Sequence, residues 1–281
     1  MQSIWFYSGL FALILSIQTI SNAGQKYSVD DEVTQTGSIR FVGCPVYRDT
    51  DSGRKSGCWL ITDVDSGLRL DLQQSFTKPQ LGKEVLVEGI LPPDHQRADG
   101  DGDCGGVVLE KVRVSVLNTR CPAVILPNEG YAGRRFDLPG TVMTPNHLPQ
   151  PQPAKPWVTR DFQIDFDFQS DYLRYQHAEV ILQEAFRLAI WGHAKSIHIK
   201  GYADTSGGSV SGRYLRESAD LSKHRAFAVQ EALVRLGWPI EKISLQSVAK
   251  SPFQKNIQDV WNHVNLRRVT LRIEIDDVVR H

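Results

Sequence analysis

The strongest constraint on the fold lies after residue 160, where the hydrophobic residues follow two different periods in turn. Apolar and polar residues alternate from Phe162 to Phe168, and a period of two indicates a half-buried strand. From Ala178 to Ala189 the apolar residues recur with the spacing of one helix face, which indicates an amphipathic helix. A segment that changes period in this way predicts a mixed α+β domain.

The same patterns continue towards the end of the chain. Gly237 and Pro239 are placed to stop a second helix, as these residue types commonly do. The further predicted elements are, in order, a strand with Ile197 and Ile199 that ends at Gly201, a helix with Val229, Ala232, Leu233 and Leu236, a strand with Ile243, Leu245 and Val248, and a strand from Val269 to Ile275. Together with the first strand and helix they give the order βαβαββ.

The chain before residue 127 has a different pattern. Short runs rich in β-branched and aromatic residues are separated by clusters of Gly, Asp and Ser, which predict turns. Short strands at this spacing favour a small all-β barrel or sandwich, and the segment Leu81–Ile90 resembles a strand of a five-stranded OB-type barrel. The predicted strands are Ser38–Val42, Trp59–Thr62, Leu68–Leu72, Glu84–Ile90 and Val107–Leu117.

All four cysteines of the chain, Cys44, Cys58, Cys104 and Cys121, fall within this all-β segment. Small exported domains often rely on disulfides, so we predict that the cysteines pair, and the sequence leaves all three connectivities open. A zinc site is the alternative, but the chain has no C-x2-C pair of the kind that structural zinc sites usually have. We therefore predict no metal and no cofactor.

The N-terminal residues have the pattern of a targeting signal. The first 23 residues have no charged side chain, and the apolar run Ile4–Ile17 precedes the small-x-small pattern Ser21-Asn22-Ala23. This is typical of a secretory signal peptide, with an uncleaved anchor helix as the alternative, and no transmembrane segment is expected after cleavage. The predicted domains are a signal peptide at 1–23, a small β domain with the cysteines at 24–126, a proline-rich linker at 127–159 and the mixed domain at 160–281.

Charge and motifs exclude several function classes. Lys plus Arg and Asp plus Glu both number 32, so the chain lacks the basic excess that favours nucleic-acid binding. The sequence has no G-x-S-x-G elbow, no P-loop and no dinucleotide fingerprint, and its eight histidines include no H-E-x-x-H motif. We predict that the protein binds no nucleic acid and is not an enzyme.

One charged residue falls on the margin of a predicted apolar helix face. Arg225 lies one turn before Val229, on nearly the same side of the second helix. A guanidinium placed there needs an acceptor, because burying an unpaired charge is costly. Asp204, in the loop that leaves the second strand, is the leading candidate, and a bridge to a neighbour such as Asp220 or Glu217 is the alternative.

Three motifs of the last domain have the order and spacing of a known family. They are Gly201-Tyr-Ala-Asp204-Thr-Ser-Gly207, Leu221-Ser-Lys-His-Arg225-Ala226 and Leu266-Arg267-Arg268-Val269. They resemble the OmpA-like peptidoglycan-binding domain, which outer-membrane protein A shares with the peptidoglycan-associated lipoprotein and the flagellar stator protein MotB. The chain departs from the family pattern at Tyr202, Ala203, Ser218 and Leu266.

The resemblance implies non-covalent binding of peptidoglycan through the diaminopimelate of its stem peptide. The aspartate and arginine that would hold this residue are Asp204 and Arg225, and the motifs supply supporting residues at Gly201, Tyr202, Thr205, Gly207, Leu221, Ser222 and Arg268. Such a protein would lie in the periplasm of a Gram-negative bacterium, associated with the cell wall or outer membrane. It would anchor an envelope protein or complex, with a partner bound through the β domain. The alternative is that the same fold serves as a protein–protein docking module in an envelope or secretion assembly.

Overall fold

The computed structural model describes residues 37–49, 57–93, 104–127, 152–153, 155–248 and 260–275. Within these ranges the chain forms an N-terminal β region, residues 37–127, and a C-terminal region of mixed α+β structure, residues 155–275. The predicted signal peptide and most of the predicted linker lie outside the described residues. The domain boundaries at 126 and 159 therefore stay predictions.

Two sheets make up the β region. The strands are β1 (Ser38–Gly43), β2 (Val46–Arg48), β3 (Cys58–Thr62), β4 (Arg69–Asp71), β5 (Lys83–Ile90), β6 (Val107–Val108), β7 (Glu110–Arg120) and β8 (Val124–Leu126). One sheet has the order β1-β5-β7 and the other β6-β4-β3-β2-β8. The predicted strands are all present, with the last one divided at Leu109 into β6 and β7. The sequence missed β2 and β8 because three residues are too few to show a period of two.

Strand β5 is buried on both faces. Val85 and Val87 point into the core of the β region. Leu86, on the opposite face, packs in a second cluster that also contains Phe168 and Val210 of the C-terminal region. The three consecutive apolar residues at 85–87 therefore fit a strand that is covered on both sides.

A buried disulfide closes the second sheet of the β region. Cys58, at the start of β3, is bonded to Cys104 across 46 residues of sequence. Both cysteines pack with Leu60, away from solvent. Cys44 and Cys121 are separate thiols in this structure. One of the predicted cysteine pairs is thus present, and the second stays a prediction.

The two remaining thiols are expected to form a second disulfide in the exported protein. Burial and a hydrogen bond with Cys44 raise the pKa of the Cys121 thiol to about 12. The hydrogen bond shows that the two thiols already lie in contact, which is what closure of a disulfide needs. The raised pKa slows the closure, because the thiolate is the nucleophile in exchange. Both hydrogens pass to an oxidised dithiol carrier when the pair closes. Intact-mass analysis without reductant should show the reduced mass minus about four hydrogens; a loss of about two, with both thiols open to alkylation, contradicts the expectation.

The C-terminal region contains the predicted βαβαββ elements with two additions. Its elements are β9 (Arg160–Asp165), α1 (Tyr175–Trp191), β10 (Ser196–Tyr202), β11 (Gly208–Val210), β12 (Arg213–Leu215), α2 (Asp220–Arg235), β13 (Ile243–Val248), α3 (Val260–Leu266) and β14 (Arg268–Glu274). The main sheet has the order β13-β10-β14-β9, with β10 parallel to β13 and antiparallel to β14. The sequence missed the hairpin β11–β12 and helix α3. No helix of the described ranges is long and apolar enough to cross a membrane.

One hydrophobic cluster joins the main sheet to α1 and α2. The helices contribute the apolar positions from which they were predicted, and the strands contribute every second residue. The buried members include Ile164, Ala178, Leu182, Ala185, Leu188, Ile197, Ile199, Val229, Leu233, Val269, Leu271 and Ile273. Because α2 packs against β10, it holds Arg225 beside the loop that follows this strand.

The β region and the C-terminal region pack against each other within one compact unit, Gln35–His281. A small apolar cluster lies between them, formed by Val42, Leu86 and Leu117 on one side and Phe168 and Val210 on the other. The ring of Phe76 also stacks on that of His177, with centroids 5.5 Å apart. Polar contacts surround these groups. They join Val42 N to Ser211 Oγ at 3.1 Å, Glu84 to Arg213 at 2.5 Å, Thr77 Oγ1 to Asp167 Oδ2 at 2.5 Å, Phe168 N to Ser115 Oγ at 2.8 Å, and Arg113 to Asp165 at 3.1 Å.

Candidate ligand-binding site

The site lies at the end of β10, where Gly201 brings two elements into direct contact. A Cβ atom built on Gly201 would lie 1.9 Å from the carbonyl oxygen of Ser222, in the first turn of α2. Any larger residue would push α2 away from the sheet, and with it the helix face that carries Arg225. Gly207 has a φ of +72°, and a Cβ there would lie 2.3 Å from the hydroxyl of Tyr214. Both motif glycines are thus required by the backbone path.

Arg225 is fully buried, and its guanidinium is saturated with acceptors. Nε donates to the carbonyl oxygen of Ser170 at 2.8 Å. Nη1 and Nη2 form a fork on the two carboxylate oxygens of Glu217, at 2.8 and 2.6 Å. The two remaining N–H groups donate to the carbonyl oxygens of Tyr202 at 3.0 Å and Asp167 at 3.1 Å. An arginine has five N–H donors, so in this arrangement none is left for a ligand.

Glu217 is the centre of this arrangement. Its Oε1 accepts from the backbone N–H of Gln169 at 2.8 Å, and its Oε2 accepts from the backbone N–H of Asp204 at 2.7 Å. With the two bonds from Arg225, all its lone pairs are used. Glu217 therefore ties α2 to the loop that carries Asp204. The structure pairs Arg225 with Glu217, which is the alternative that the sequence left open.

Asp204 is also buried, but its carboxylate faces a different set of groups. Oδ2 accepts a hydrogen bond from Nδ1 of His263 at 2.7 Å, and Oδ1 accepts from the Ser206 hydroxyl. Nη2 of Arg40, from the β region, lies 4.0 Å from Oδ2. Asp204 and Arg225 are thus joined through Glu217, whose Oε2 accepts from Nη1 of Arg225 and from the backbone N–H of Asp204. The ligand-binding role of Arg225 stays a prediction, and it requires Glu217 to release the guanidinium.

The Asp204 carboxyl is held in its charged form. Burial acts to raise its pKa, but the hydrogen bonds from His263 and Ser206 outweigh burial, so the pKa lies below its ordinary value of 3.8. A carboxyl whose pKa is lowered by folding stabilises the fold above that ordinary value and loses this contribution as the pH falls through the folded-state pKa. The site therefore offers an anionic group at neutral pH, which suits a cationic ligand group.

Arg267 is the charged residue of the site that sequence reasoning did not single out. It is fully buried, and its Nη2 donates to Glu88 of the β region. Its Nε and Nη1 find no hydrogen-bond acceptor among the described residues. Burial acts to lower the pKa of Arg267, but the charge and hydrogen bond of Glu88, together with the charges of Glu217 and Asp204, hold the pKa above its ordinary value. Arg267 belongs to the third motif, but the alternation of residues in the strand that follows does not indicate which group its side chain contacts.

Three of the predicted supporting residues, Arg268, Ser222 and Thr205, make contacts within the C-terminal region. The guanidinium of Arg268 lies over the Tyr202 ring, 5.2 Å from its centroid. Ser222 is buried and donates to the carbonyl of Ala219 at 2.6 Å. Thr205 donates its backbone N–H to the carbonyl of Ala203 at 3.0 Å. The contacts of Ser222 and Thr205 shape the start of α2 and the loop.

The chemistry of the site is that of paired charges. Within the described part of the chain, no group of three His, Cys, Asp or Glu residues is placed to hold a metal ion. A buried aspartate and a buried arginine, Asp204 and Arg267, instead offer one anionic and one cationic group. Such a pair is complementary to a ligand that carries an ammonium and a carboxylate.

The C-terminal region is an α+β domain with a four-stranded mixed sheet, two long helices and the loop of Asp204. We compared it with known protein families. Residues 165–260 match the model of the OmpA family, so the C-terminal region carries an OmpA-family domain. This match confirms the family predicted from the three motifs. No curated protein is significantly similar to the chain.

Solved structures are similar to part of the chain at low identity. The OmpA-like domain of FopA1 from Francisella tularensis is 20% identical, with 41% of this chain and 71% of that chain covered and a TM-score of 0.33. The peptidoglycan-associated lipoprotein from Burkholderia pseudomallei is 23% identical, with coverages of 39% and 86% and a TM-score of 0.31. The cell wall anchor of the T6SS from Pseudomonas aeruginosa is 14% identical, with coverages of 42% and 82% and a TM-score of 0.35.

Proposed function

We propose that the protein binds peptidoglycan non-covalently through its C-terminal region and so anchors an envelope protein or complex to the cell wall. The observation that carries this proposal is the OmpA-family match over residues 165–260, which includes the loop of Asp204 and the helix of Arg225. The diaminopimelate of the stem peptide is the ligand that the motifs imply. The proposal places the protein in the periplasm, associated with the cell wall or outer membrane, and ascribes no reaction to it.

The electrostatics of the site support this ligand. Diaminopimelate has amino-acid centres in which an ammonium and a carboxylate lie side by side, so a site needs one anionic and one cationic group at a matching separation. Asp204 is buried and held ionised by His263 and Ser206, which suits it to the ammonium. We propose Arg225 or Arg267 as the cationic group, since both guanidiniums lie in the same part of the domain.

Replacing Asp204 with asparagine should weaken binding to purified sacculi by about 10- to 150-fold. The change keeps the shape of the side chain but removes the charge, and a hydrogen bond to a charged group contributes about 1.5–3 kcal/mol. Co-sedimentation with sacculi measures the effect, with circular dichroism to confirm the fold. Asp161→Asn is the matched control, because Asp161 is an exposed carboxylate on β9 whose only described ion pair is with Arg272. Free meso-diaminopimelate should compete, whereas lysine, which has one carboxylate centre fewer, should compete poorly. Equal binding by the two variants would contradict this role for Asp204.

A protein–protein docking module is the second candidate, and one observation favours it. The same face of the C-terminal region, which carries Asp204 and Arg267, already binds a protein surface, the β region of its own chain. A face that recognises Arg40 and Glu88 has the chemistry to recognise a charged pair on another protein. A folded protein that fails to bind sacculi would favour this candidate.

A further inference from the structure

The β region brings its own pair of opposite charges to the candidate site. Arg40 on β1 and Glu88 on β5 are directly opposed in the antiparallel sheet. Nε of Arg40 donates to Oε1 of Glu88 at 3.1 Å. The Glu88 side chain is fully buried, and that of Arg40 is one-tenth exposed. The two strands therefore present one cation and one carboxylate side by side at the surface that meets the C-terminal region.

These two charges face the site in a complementary order. The guanidinium of Arg40 lies towards the carboxylate of Asp204, with Nη2 at 4.0 Å from Oδ2. The carboxylate of Glu88 accepts a hydrogen bond from Nη2 of Arg267. A cation against Asp204 and a carboxylate against a site arginine are the same two contacts that an amino-acid centre of the ligand would make.

The two site charges are buried where the β region meets them. Asp204 is 2% exposed and Arg267 is 0% exposed with the β region in place. Nearby, the Val42 backbone N–H donates to Ser211 Oγ at 3.1 Å, so β1 also covers the hairpin β11–β12. Arg40 and Glu88 thus stand on the side of Asp204 and Arg267 that faces the β region.

We propose that the β region is a built-in competitor, with Arg40 and Glu88 occupying the positions of the ligand's ammonium and carboxylate, so that the wall-binding site is closed until the β region is released. This inference rests on the proposed function. It also assigns Arg267, rather than Arg225, to the ligand carboxylate, because Arg267 exchanges Glu88 for the ligand while Arg225 keeps Glu217.

The composition of the interface suits a contact that opens. Its apolar part is the cluster of Val42, Leu86, Leu117, Phe168 and Val210, with the Phe76 ring stacked on His177. The other contacts described across it include several hydrogen bonds and ion pairs. Interfaces of this polar kind within one chain commonly allow domain motion. Charged pairs across such a contact can be exchanged for ligand charges, because each buried ion then keeps a partner. The apparent affinity for the wall is reduced by the fraction of molecules that are closed.

A crosslink tests the closure without altering the charged residues. Val42→Cys and Ser211→Cys, in a Cys44→Ser and Cys121→Ser background, place two thiols across the interface where the backbone N–H of 42 and Oγ of 211 lie 3.1 Å apart. A short bis-maleimide joins them, and the same protein treated with N-ethylmaleimide is the matched control. We expect the crosslinked protein to bind sacculi at least about tenfold more weakly than the control. Equal binding by the two forms overturns the proposal.

A second variant weakens the interface, and it tests the closure of the site if the protein with Val42→Cys and Ser211→Cys does not fold. Arg213→Ala removes the 2.5 Å ion pair with Glu84 at the edge of the interface. It should raise sacculus binding about two- to fivefold, the effect of losing one partly exposed ion pair from the closed state. Arg272→Ala, which removes an exposed pair with Asp161 on the main sheet, is the control and should bind like the parent. Binding by Arg213→Ala that is no stronger than that of the control overturns the closure. If the parent and Arg213→Ala both fold and neither binds sacculi, the proposed function itself fails, and the closure fails with it.

Discussion

Replacing Arg225 with alanine is expected to lower the free energy of unfolding by about 3–5 kcal/mol, because it strands a buried carboxylate. Glu217 loses both bonds of the guanidinium fork, at 2.8 and 2.6 Å, and stays where solvent does not reach it. The carbonyl groups of Ser170, Tyr202 and Asp167 lose a donor as well. Denaturant titration followed by circular dichroism measures the loss. Arg235→Ala is the matched control, since Arg235 lies in the last turn of the same helix and is exposed.

The double variant Arg225→Leu with Glu217→Leu tests whether the loss of stability comes from leaving the buried Glu217 carboxylate unpaired. An apolar pair of similar size often restores much of the stability that a single replacement removes, because no charge is then left unpaired. We expect it to be more stable than Arg225→Ala. If Arg225→Ala lowers the free energy of unfolding by less than about 1 kcal/mol, the structural role of Arg225 is contradicted and a ligand-binding role is favoured.

This expectation changes how a binding assay on Arg225 is read. The motif resemblance alone predicts that Arg225→Ala loses sacculus binding because a ligand contact is gone. The structure predicts the same loss through unfolding or displacement of the loop, because Glu217 joins Arg225 to the backbone of Asp204. Only the measured stability distinguishes the two causes, so Asp204→Asn is the cleaner test of the site.

The elements that sequence predicted well are those with long periodic faces. Helix α1 shows Ala178, Leu182 and Ala185 on one side, and all three are buried in the core of the C-terminal region. Strand β14 alternates in the same clear way. Helix α3 and the hairpin β11–β12 were missed because seven residues and three residues give too few repeats to define a period.

The charged contacts of the site were harder to predict because they join distant parts of the chain. Glu217 lies eight residues before Arg225 and outside α2, so helix spacing gave no preference between it and Asp204. Glu88 and Arg267 are 179 residues apart and come from different regions. No local pattern specifies such a pair, since it depends on how the two regions pack. The motifs identified the right loop and helix, while the partners of each charge required the fold.

The second large effect is expected from the disulfide of the β region. Replacing Cys58 and Cys104 together with alanine removes a crosslink across 46 residues, which costs about 4 kcal/mol in the chain-entropy description. The cost should fall on the β region, where both cysteines are buried beside Leu60. Thermal unfolding of the variant and the parent, both without reductant, measures it. Val64→Ala with Ile125→Ala is the control, because both side chains are exposed and lie in the same region.

The disulfide variant also links the stability of the β region to the site that this region covers. Glu88 and Arg40 reach Arg267 and Asp204 only while β1 and β5 are paired, so partial unfolding of the β region uncovers the site. At a temperature where the variant has lost its β region and kept the C-terminal region, sacculus binding should rise above that of the parent. A loss of stability below about 1 kcal/mol would contradict this expectation. It would mean that the chain between the two cysteines is already restrained in the unfolded state, so that removing the disulfide adds little entropy to that state.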